Sequence, residues 1–419
     1  MLAFDNLSDD PEMAFFSEGV SEEIQQTVAR GADLTVIGRT SSFQFRGADK
    51  AAARIAKVLK ATHVLDGSVR RSGTRVRISA QLVECSGETT LWSESFDRDL
   101  TDIFALQDEI AASVAAALKT AFAPTGLSEP IDPVAYDLYL AALRARENEF
   151  LVNPATLNSA IKLVEQATAL APRFAGAWAH LADLRRLDLR FGQIQPDAPT
   201  LPFAVRRAKV VDAAEMALSL DPGLGRVYQV LGSLAPFGEY LAREAIENKA
   251  LSVSPNDPGV LHEASQFVAD VGRIHEALGY VRRAHELDPM SVGAASWFAS
   301  MLDAEGRYEE SRPLWDRFRV LWPASDLVAW NAVASAASNA DWLRFEDLVR
   351  AIRKDGMYNV PMRRLVWFGR NLRDPDQASM KAALEQSRDE IARSGSAPLD
   401  GLTSLYRLGF KDEVFDLID

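Results

Sequence analysis

Five prolines recur in the chain's last two thirds, Pro172, Pro222, Pro255, Pro289 and Pro323, spaced by 50, 33, 34 and 34 residues. Other positions keep step with them. Two residues before each proline stands Leu170, Leu220, Val253, Leu287 or Leu321, and five before stands Ala167, Ala217, Ala250, Ala284 or Phe318. Ten after come Ala182, Gly232, Ser265, Ala299 and Val333, preceded by Leu181, Leu231, Ala264, Phe298 and Ala332. Chance does not phase four positions over five copies, and a period of this length is the mark of a stacked repeat. The physical unit is a pair of helices. Proline lacks an N–H and its ring opposes further helix, so it ends the second helix of each pair. Small residues let two helices cross closely, and large ones fill the space between successive pairs. Gly272-Arg273 and Gly306-Arg307 supply turns within pairs, and Gly409-Phe410-Lys411-Asp412-Glu413 repeats that turn near the C-terminus.

This 34-residue pattern resembles the tetratricopeptide repeat. Five copies carry the framework, with degenerate units expected at 134–172 and 361–419. The 50-residue interval implies an insertion at Arg190 to Pro202, and Asn148 to Pro154 reads as a second loop.

The texture before residue 123 is different, because helical and strand patterns alternate there. Met1 to Phe4 reads as the tail of a strand. Residues 12–30 read as a helix with Phe15, Phe16, Val20, Ile24 and Val28 on one side, and Ser21-Glu22-Glu23-Ile24 as an internal cap signal. Asp33 to Arg39 reads as a strand through Leu34, Val36 and Ile37. Ala51 to Lys60 reads as a helix with Ile55, Val58 and Leu59 inward. His63 to Arg71 and Thr74 to Glu84 alternate around Ser72-Gly73 as a hairpin, placing Val76, Ile78, Ala80 and Leu82 on one face. Thr89 to Phe96 follows as a third strand. Asp102 then caps a helix running to Phe122. The expected fold class is an α+β N-terminal domain, with helices on a mixed sheet, followed by an all-α tetratricopeptide superhelical solenoid. The expected boundaries are 1–123 for the α/β domain, 124–133 for a linker and 134–419 for the repeats.

Several stretches of the first part resemble the TolB-like domain that accompanies tetratricopeptide repeats in bacterial signalling proteins. They are Phe4-Asp5-Asn6-Leu7-Ser8, Phe16-Ser17-Glu18-Gly19, Ser21-Glu22-Glu23-Ile24, Arg39-Thr40-Ser41-Ser42-Phe43, Val64-Leu65-Asp66-Gly67-Ser68-Val69-Arg70 and Asp102-Ile103-Phe104-Ala105-Leu106-Gln107-Asp108. In that family the pair commonly forms the C-terminal part of a larger protein. Its output domain is a class III adenylate cyclase or a CadC-type winged-helix transcriptional regulator. The resemblance implies signal transduction and not cyclase activity. It makes a chain truncated of its output domain an alternative reading. The compartment expected for the chain as given is cytoplasmic, and periplasmic where it follows a membrane anchor.

Chemistry is not legible. The net charge of −13 repels a phosphate backbone, so no nucleic acid is expected to bind this chain alone. Cys85 is the one cysteine, which excludes an internal disulfide and cysteine-rich metal sites, and a buried small hydrophobe is its plainest reading. The five histidines, His63, His180, His262, His275 and His285, show no i, i+4 pair. No phosphate-loop, dinucleotide or nucleophile-elbow motif occurs, and Gly223-Leu224-Gly225 reads as an interhelical turn. Asp97 and Asp99 read as a solvated strand end. Arg70, Arg71, Arg75 and Arg77 read as exposed edge-strand arginines, and Phe43 and Phe45 as docking on the sheet. Enzyme activity, cofactors and metals are therefore not expected, nor a membrane span.

What remains is binding. Repeats of this kind present the first helix of each pair along a groove. Helical phase places Asp183, Arg186, Arg226, Gln229, His262, Gln266, Asp270, Ser300, Asp303 and Trp330 there, for a protein or peptide partner. A small-ligand site at the domain junction, around residues 96–140, is the other reading.

Overall fold

The computed structural model describes residues 1–8, 10, 13–31, 34–120, 130–147, 154–191, 201–236, 238–354, 360–394 and 410. Residues 148–153 and 192–200 of the two expected loops and 124–129 of the linker lie outside that set, as does nearly all of the 409–413 turn; Pro154 and Arg190, read as loop ends, are helical. An α+β domain comes first and helix pairs follow, which is the fold class read from the sequence.

The domain's sheet has four strands in the order β1 (Asp5–Asn6), β2 (His63–Ser72), β3 (Arg75–Glu84) and β4 (Thr89–Asp99). β1 runs parallel to β2, and the other neighbours are antiparallel, so the sheet is mixed. The alternation in β3 works as read: Val76, Ile78, Ala80 and Leu82 are buried. They pack in one core with Phe16, Val20, Ile24 and Val28 of α1 (Ala14–Gly31) and Ile103, Leu106, Ile110 and Val114 of α4 (Ile103–Ala117). Phe15 is only partly buried against that core. Between α1 and β2 lie two short helices, α2 (Arg39–Ser42) and α3 (Ala52–Leu59). Phe43 and Phe45 are buried, and Phe45 packs beside Cys85, Leu2, Ile55, Leu59 and Val64.

Five local expectations are corrected. Residues 34–38 form no strand, because their backbone bonds elsewhere: Ile37 accepts from the Gln25 amide and Gly38 donates to Leu287. Val58 is exposed, since only Ile55 and Leu59 of α3 meet the neighbouring apolar cluster. Ser21 to Ile24 mark no helix end. Ser21 instead bonds back to Ser17 and accepts from Phe4 N–H, fixing the chain before β1 on α1. Asp102 makes no side-chain cap; Asp99 accepts from Thr101 N–H instead, and α4 stops at Ala117. The arginines at the hairpin are also not bare edge charges. Arg75 and Arg77 both pair with Asp97 across β3 and β4, with Arg77 Nη2 at 2.7 Å. Arg71 forms a two-pronged pair with Asp137 and stacks on Phe16, and Arg70 bonds Leu7.

The helix pairs run α5 (Pro133–Glu147) with α6 (Pro154–Leu170), α7 (Ala175–Phe191) with α8 (Phe203–Leu220), α9 (Gly225–Gly232) with α10 (Tyr240–Val253), and α11 (Pro258–Asp270) with α12 (Ile274–Leu287). The alternation continues through α13 (Val292–Ala304), α14 (Tyr308–Leu321), α15 (Asp326–Ser338), α16 (Trp342–Lys354), α17 (Val360–Arg373) and α18 (Gln377–Ser394). The phased small residues sit where the pattern demands. Ala167, Ala217, Ala250, Ala284, Ala182, Ser265 and Ala299 are all fully buried. Each phased proline falls just past a second helix, and Gly223 to Gly225 forms the turn before α9.

Two compact units divide the chain, Met1–Ala294 and Ala295–Asp419. The first joins the α/β domain to the pairs α5 to α12, although the sequence texture changes near residue 123.

Within the pairs, the turns at Gly238, Gly272, Gly306 and Ala340 repeat every 34 residues with φ of 93°, 84°, 75° and 56°. Only the last carries a side chain in the left-handed region, which costs about 1 kcal/mol relative to glycine. Ala340→Gly is therefore expected to raise stability by about 1 kcal/mol in thermal unfolding, whereas a loss would show that the Ala340 methyl makes a packing contact worth more than the strain.

Candidate partner-binding surface

The first helices place the sequence-predicted groove residues unequally. In the first unit, Asp183 and Arg186 lie one turn apart on α7 and pair at 2.8 Å, both partly buried. Arg226 at the start of α9 pairs with Asp257 at 3.0 Å; its guanidinium stays largely exposed and fully charged. Asp257 is the N-cap of α11 and also accepts from Gly259 and Val260 N–H, so the ion pair stitches two successive repeats. Gln229 is a correction. It is buried, and its amide donates to Glu247 at 3.1 Å and to the Val260 carbonyl at 2.8 Å, so it ties helices together and offers nothing to a partner. His262 and Gln266 on α11 are partly exposed, and Asp270 at its end is exposed. Burial lowers the His262 pKa, which keeps the ring neutral near pH 7.

In the second unit, Ser300, Asp303 and Trp330 are partly exposed. Asp303 is already committed: it accepts from Ser311, from the Trp315 indole at 3.1 Å and from Asn339 at 3.4 Å. Like Gln229 it is a structural hub, because a short carboxylate at this phase reaches the second helix of its own pair. Trp330 on α15 remains the large amphipathic side chain on a first-helix face. An open cleft of about 380 Å³ elsewhere in this unit, lined by Arg312, Arg319, Arg344, Asp341, Asp347 and Leu343, is mixed in charge.

The domain junction is built on an aromatic cluster. Phe16, Phe104, Tyr136, Tyr139 and Phe174 cluster with ring centroids 4.7–6.3 Å apart. Tyr139 donates to Glu23 at 2.6 Å, and burial pushes the Glu23 carboxyl up to about 7 against that hydrogen bond. This contact was missed from the sequence. The signal was there, since Phe16, Val20, Glu23 and Thr27 share one stripe of α1, and an acid on a buried stripe needs a partner.

No family model matches the chain. Over 194 residues it is 34% identical to a protein of Rhizobium meliloti (strain 1021) described as putative adenylate cyclase 3; the match covers 45% of this chain and 32% of that protein. The chain thus spans about a third of the length of the curated relative it matches. Among solved structures it is similar to PilF of Pseudomonas aeruginosa, at 14% identity over 55% of this chain and 95% of that one, with a TM-score of 0.40. It is also similar to a tetratricopeptide repeat protein of Parabacteroides merdae, at 15% identity over 68% of this chain and 98% of that one, with a TM-score of 0.37. No described helix is long and apolar enough to cross a membrane.

Proposed function

We propose that this chain is a non-catalytic protein-interaction and regulatory module of a bacterial signalling protein, holding a partner protein or peptide on the first-helix faces of its repeats. The observation that carries the reading is the set of side chains left open in each unit: Arg186, Arg226, His262 and Gln266 in the first, and Ser300 and Trp330 in the second, stay at least partly exposed on helices whose opposite faces are buried. Stacked helix pairs display such residues at fixed spacing, which suits an extended or helical ligand better than a small molecule. Tryptophan and arginine dominate binding energy at such surfaces. The TolB-like resemblance of residues 1–123 and the similarity to a putative adenylate cyclase support a signalling context, in which a module of this kind follows a cyclase or winged-helix output domain.

The test is quantitative affinity capture with the full chain against a Gln266→Ala, Trp330→Ala variant that melts normally. Recovery of the specific partner should fall at least tenfold, the consequence of about 1.4 kcal/mol lost. Equal recovery from both proteins would refute the groove assignment.

A further inference from the structure

The second helix of each phased pair ends two residues before its proline, and at two of these junctions the residue between helix end and proline is an aspartate. Both aspartates reach out of the repeats to the α/β domain. Asp221, before Pro222, pairs with Arg30 of α1 at 2.7 Å. Asp288, before Pro289, is more thoroughly engaged. Its buried carboxylate accepts from Ser41 N–H at 2.8 Å and from the Ser41 hydroxyl. The same hydroxyl accepts from Met290 N–H at 2.8 Å, and Gly38 N–H donates to the Leu287 carbonyl at 2.6 Å. Three features of one junction, the Leu287 carbonyl, the Asp288 carboxylate and the Met290 amide, are thus read by Gly38 and Ser41 of the α/β domain.

Two details separate this from ordinary packing. Gly38 sits so close that a Cβ would stand 2.6 Å from the Asp288 carboxylate carbon, so the segment is selected for glycine by the junction itself. Its φ of −61° is open to any residue, so conformation does not demand the glycine. The second detail is that the hydrogen bonds the Asp288 carboxylate accepts come from the Thr40–Ser41 segment. At the equivalent junction Ser254 is satisfied inside the repeats, by Gly225 N–H and the Gly223 carbonyl. A buried carboxylate that serves only a segment from elsewhere costs stability whenever that segment leaves, unless another donor set replaces it.

We propose that the Leu287–Met290 junction is a receptor for a short Gly-x-x-Ser segment, occupied here by the chain's own Gly38–Ser41 and open to a partner bearing the same segment once that latch releases. The recognition is chemical: a backbone N–H without an adjacent Cβ, then an N–H and hydroxyl three residues later to grip one carboxylate. The site lies at the repeat ends and its hydrogen bonds involve none of the first-helix residues named for the groove, so its test is independent of the groove's.

The probe is a fluorescein-labelled peptide copying residues 36–46, titrated by anisotropy into the full-length protein and into Gly38→Val. The valine methyls displace the internal segment, so the variant should bind the peptide at least tenfold more tightly than wild type. Adding Asp288→Asn to that variant should remove the gain, as should alanine at the peptide's first serine, the position equivalent to Ser41. Equal binding to wild type and Gly38→Val, or binding indifferent to Asp288, would overturn the proposal. Native-state hydrogen exchange on the unaltered protein gives a second readout that needs no variant. The Ser41 amide should exchange through a local opening, faster than that of Ile78 in β3, whereas exchange of both at the same global rate would mean the latch never releases.

Discussion

Tyr136→Ala is expected to be among the most destabilising single changes in the first unit, costing about 4 kcal/mol. Tyr136 is fully buried on α5, and four rings surround it: Phe16 of α1 at 6.2 Å, Phe104 of α4 at 6.0 Å, Phe174 at 6.3 Å and Tyr139 at 6.3 Å. Three of these come from three different segments, so one truncation opens a cavity where the α/β domain, α5 and the start of α7 converge. The lost transfer and cavity terms are joined by two edge-on ring contacts, to Phe16 and Phe104, each worth about 1 kcal/mol. The phenol also accepts from Gln107, which is buried and would be stranded. Tyr136→Phe isolates that last part and should cost only about 1 kcal/mol. Calorimetry should show the alanine variant melting roughly 10 °C lower, at 2–4 °C per kcal/mol for a unit of this size or larger. The cooperativity matters as much as the shift. If the α/β domain and the pairs α5 to α12 are one packed unit, both lose stability together, and a variant in which only the repeats melt early would break that claim.

Much of this architecture was legible because periodicity encodes it. The alternation of β3 told inside from outside at Val76, Ile78, Ala80 and Leu82, and the prolines phased the alanines that the structure buries. Periodicity speaks only for neighbours within an element or one repeat away. It was silent on Arg71 with Asp137, on Arg30 with Asp221 and on Ser41 with Asp288, pairs separated by 66, 191 and 247 residues. Those pairs decide where the α/β domain rests, which is why a change of texture near residue 123 did not mark the edge of a compact unit. The groove was read with the same bias. Helical phase identified the first-helix residues but could not tell Trp330, which stays partly open, from Gln229 and Asp303, whose polar atoms are spent inside the fold. A polar side chain's availability depends on what the next helix presents to it, and a single sequence does not carry that information.

Glu23 turns the domain junction into a pH-dependent element, with a sign that follows from its proton. In the folded chain its carboxyl titrates near 7, against 4.5 for an ordinary glutamate. Burial is the main cause: the side chain lies between α1 and α5, 9% exposed, where ionisation strips a charge of water. The bond from Tyr139 and the charge of Arg30 oppose this, while Glu22 adds to it. The folded state therefore keeps the proton in a range where the unfolded chain has released it. Stability from this group is complete below about pH 4.5, declines as pH rises through the window from 4.5 to 7, and stays at the lower level beyond it. The amplitude is about 3 kcal/mol, at 1.36 kcal/mol for each pKa unit. Glu23→Gln removes the titration while its amide oxygen still accepts from Tyr139. Urea unfolding at pH 4.5 and at pH 8.5 should place the variant close to wild type at the acid end and about 2 kcal/mol more stable at the alkaline end. Other acids, Asp288 among them, also titrate with folding, so the difference between the two proteins is the quantity to follow. Parallel pH curves for wild type and Glu23→Gln would show that this carboxyl is solvated and charged in the native state, and that the Tyr139 bond does not bury it.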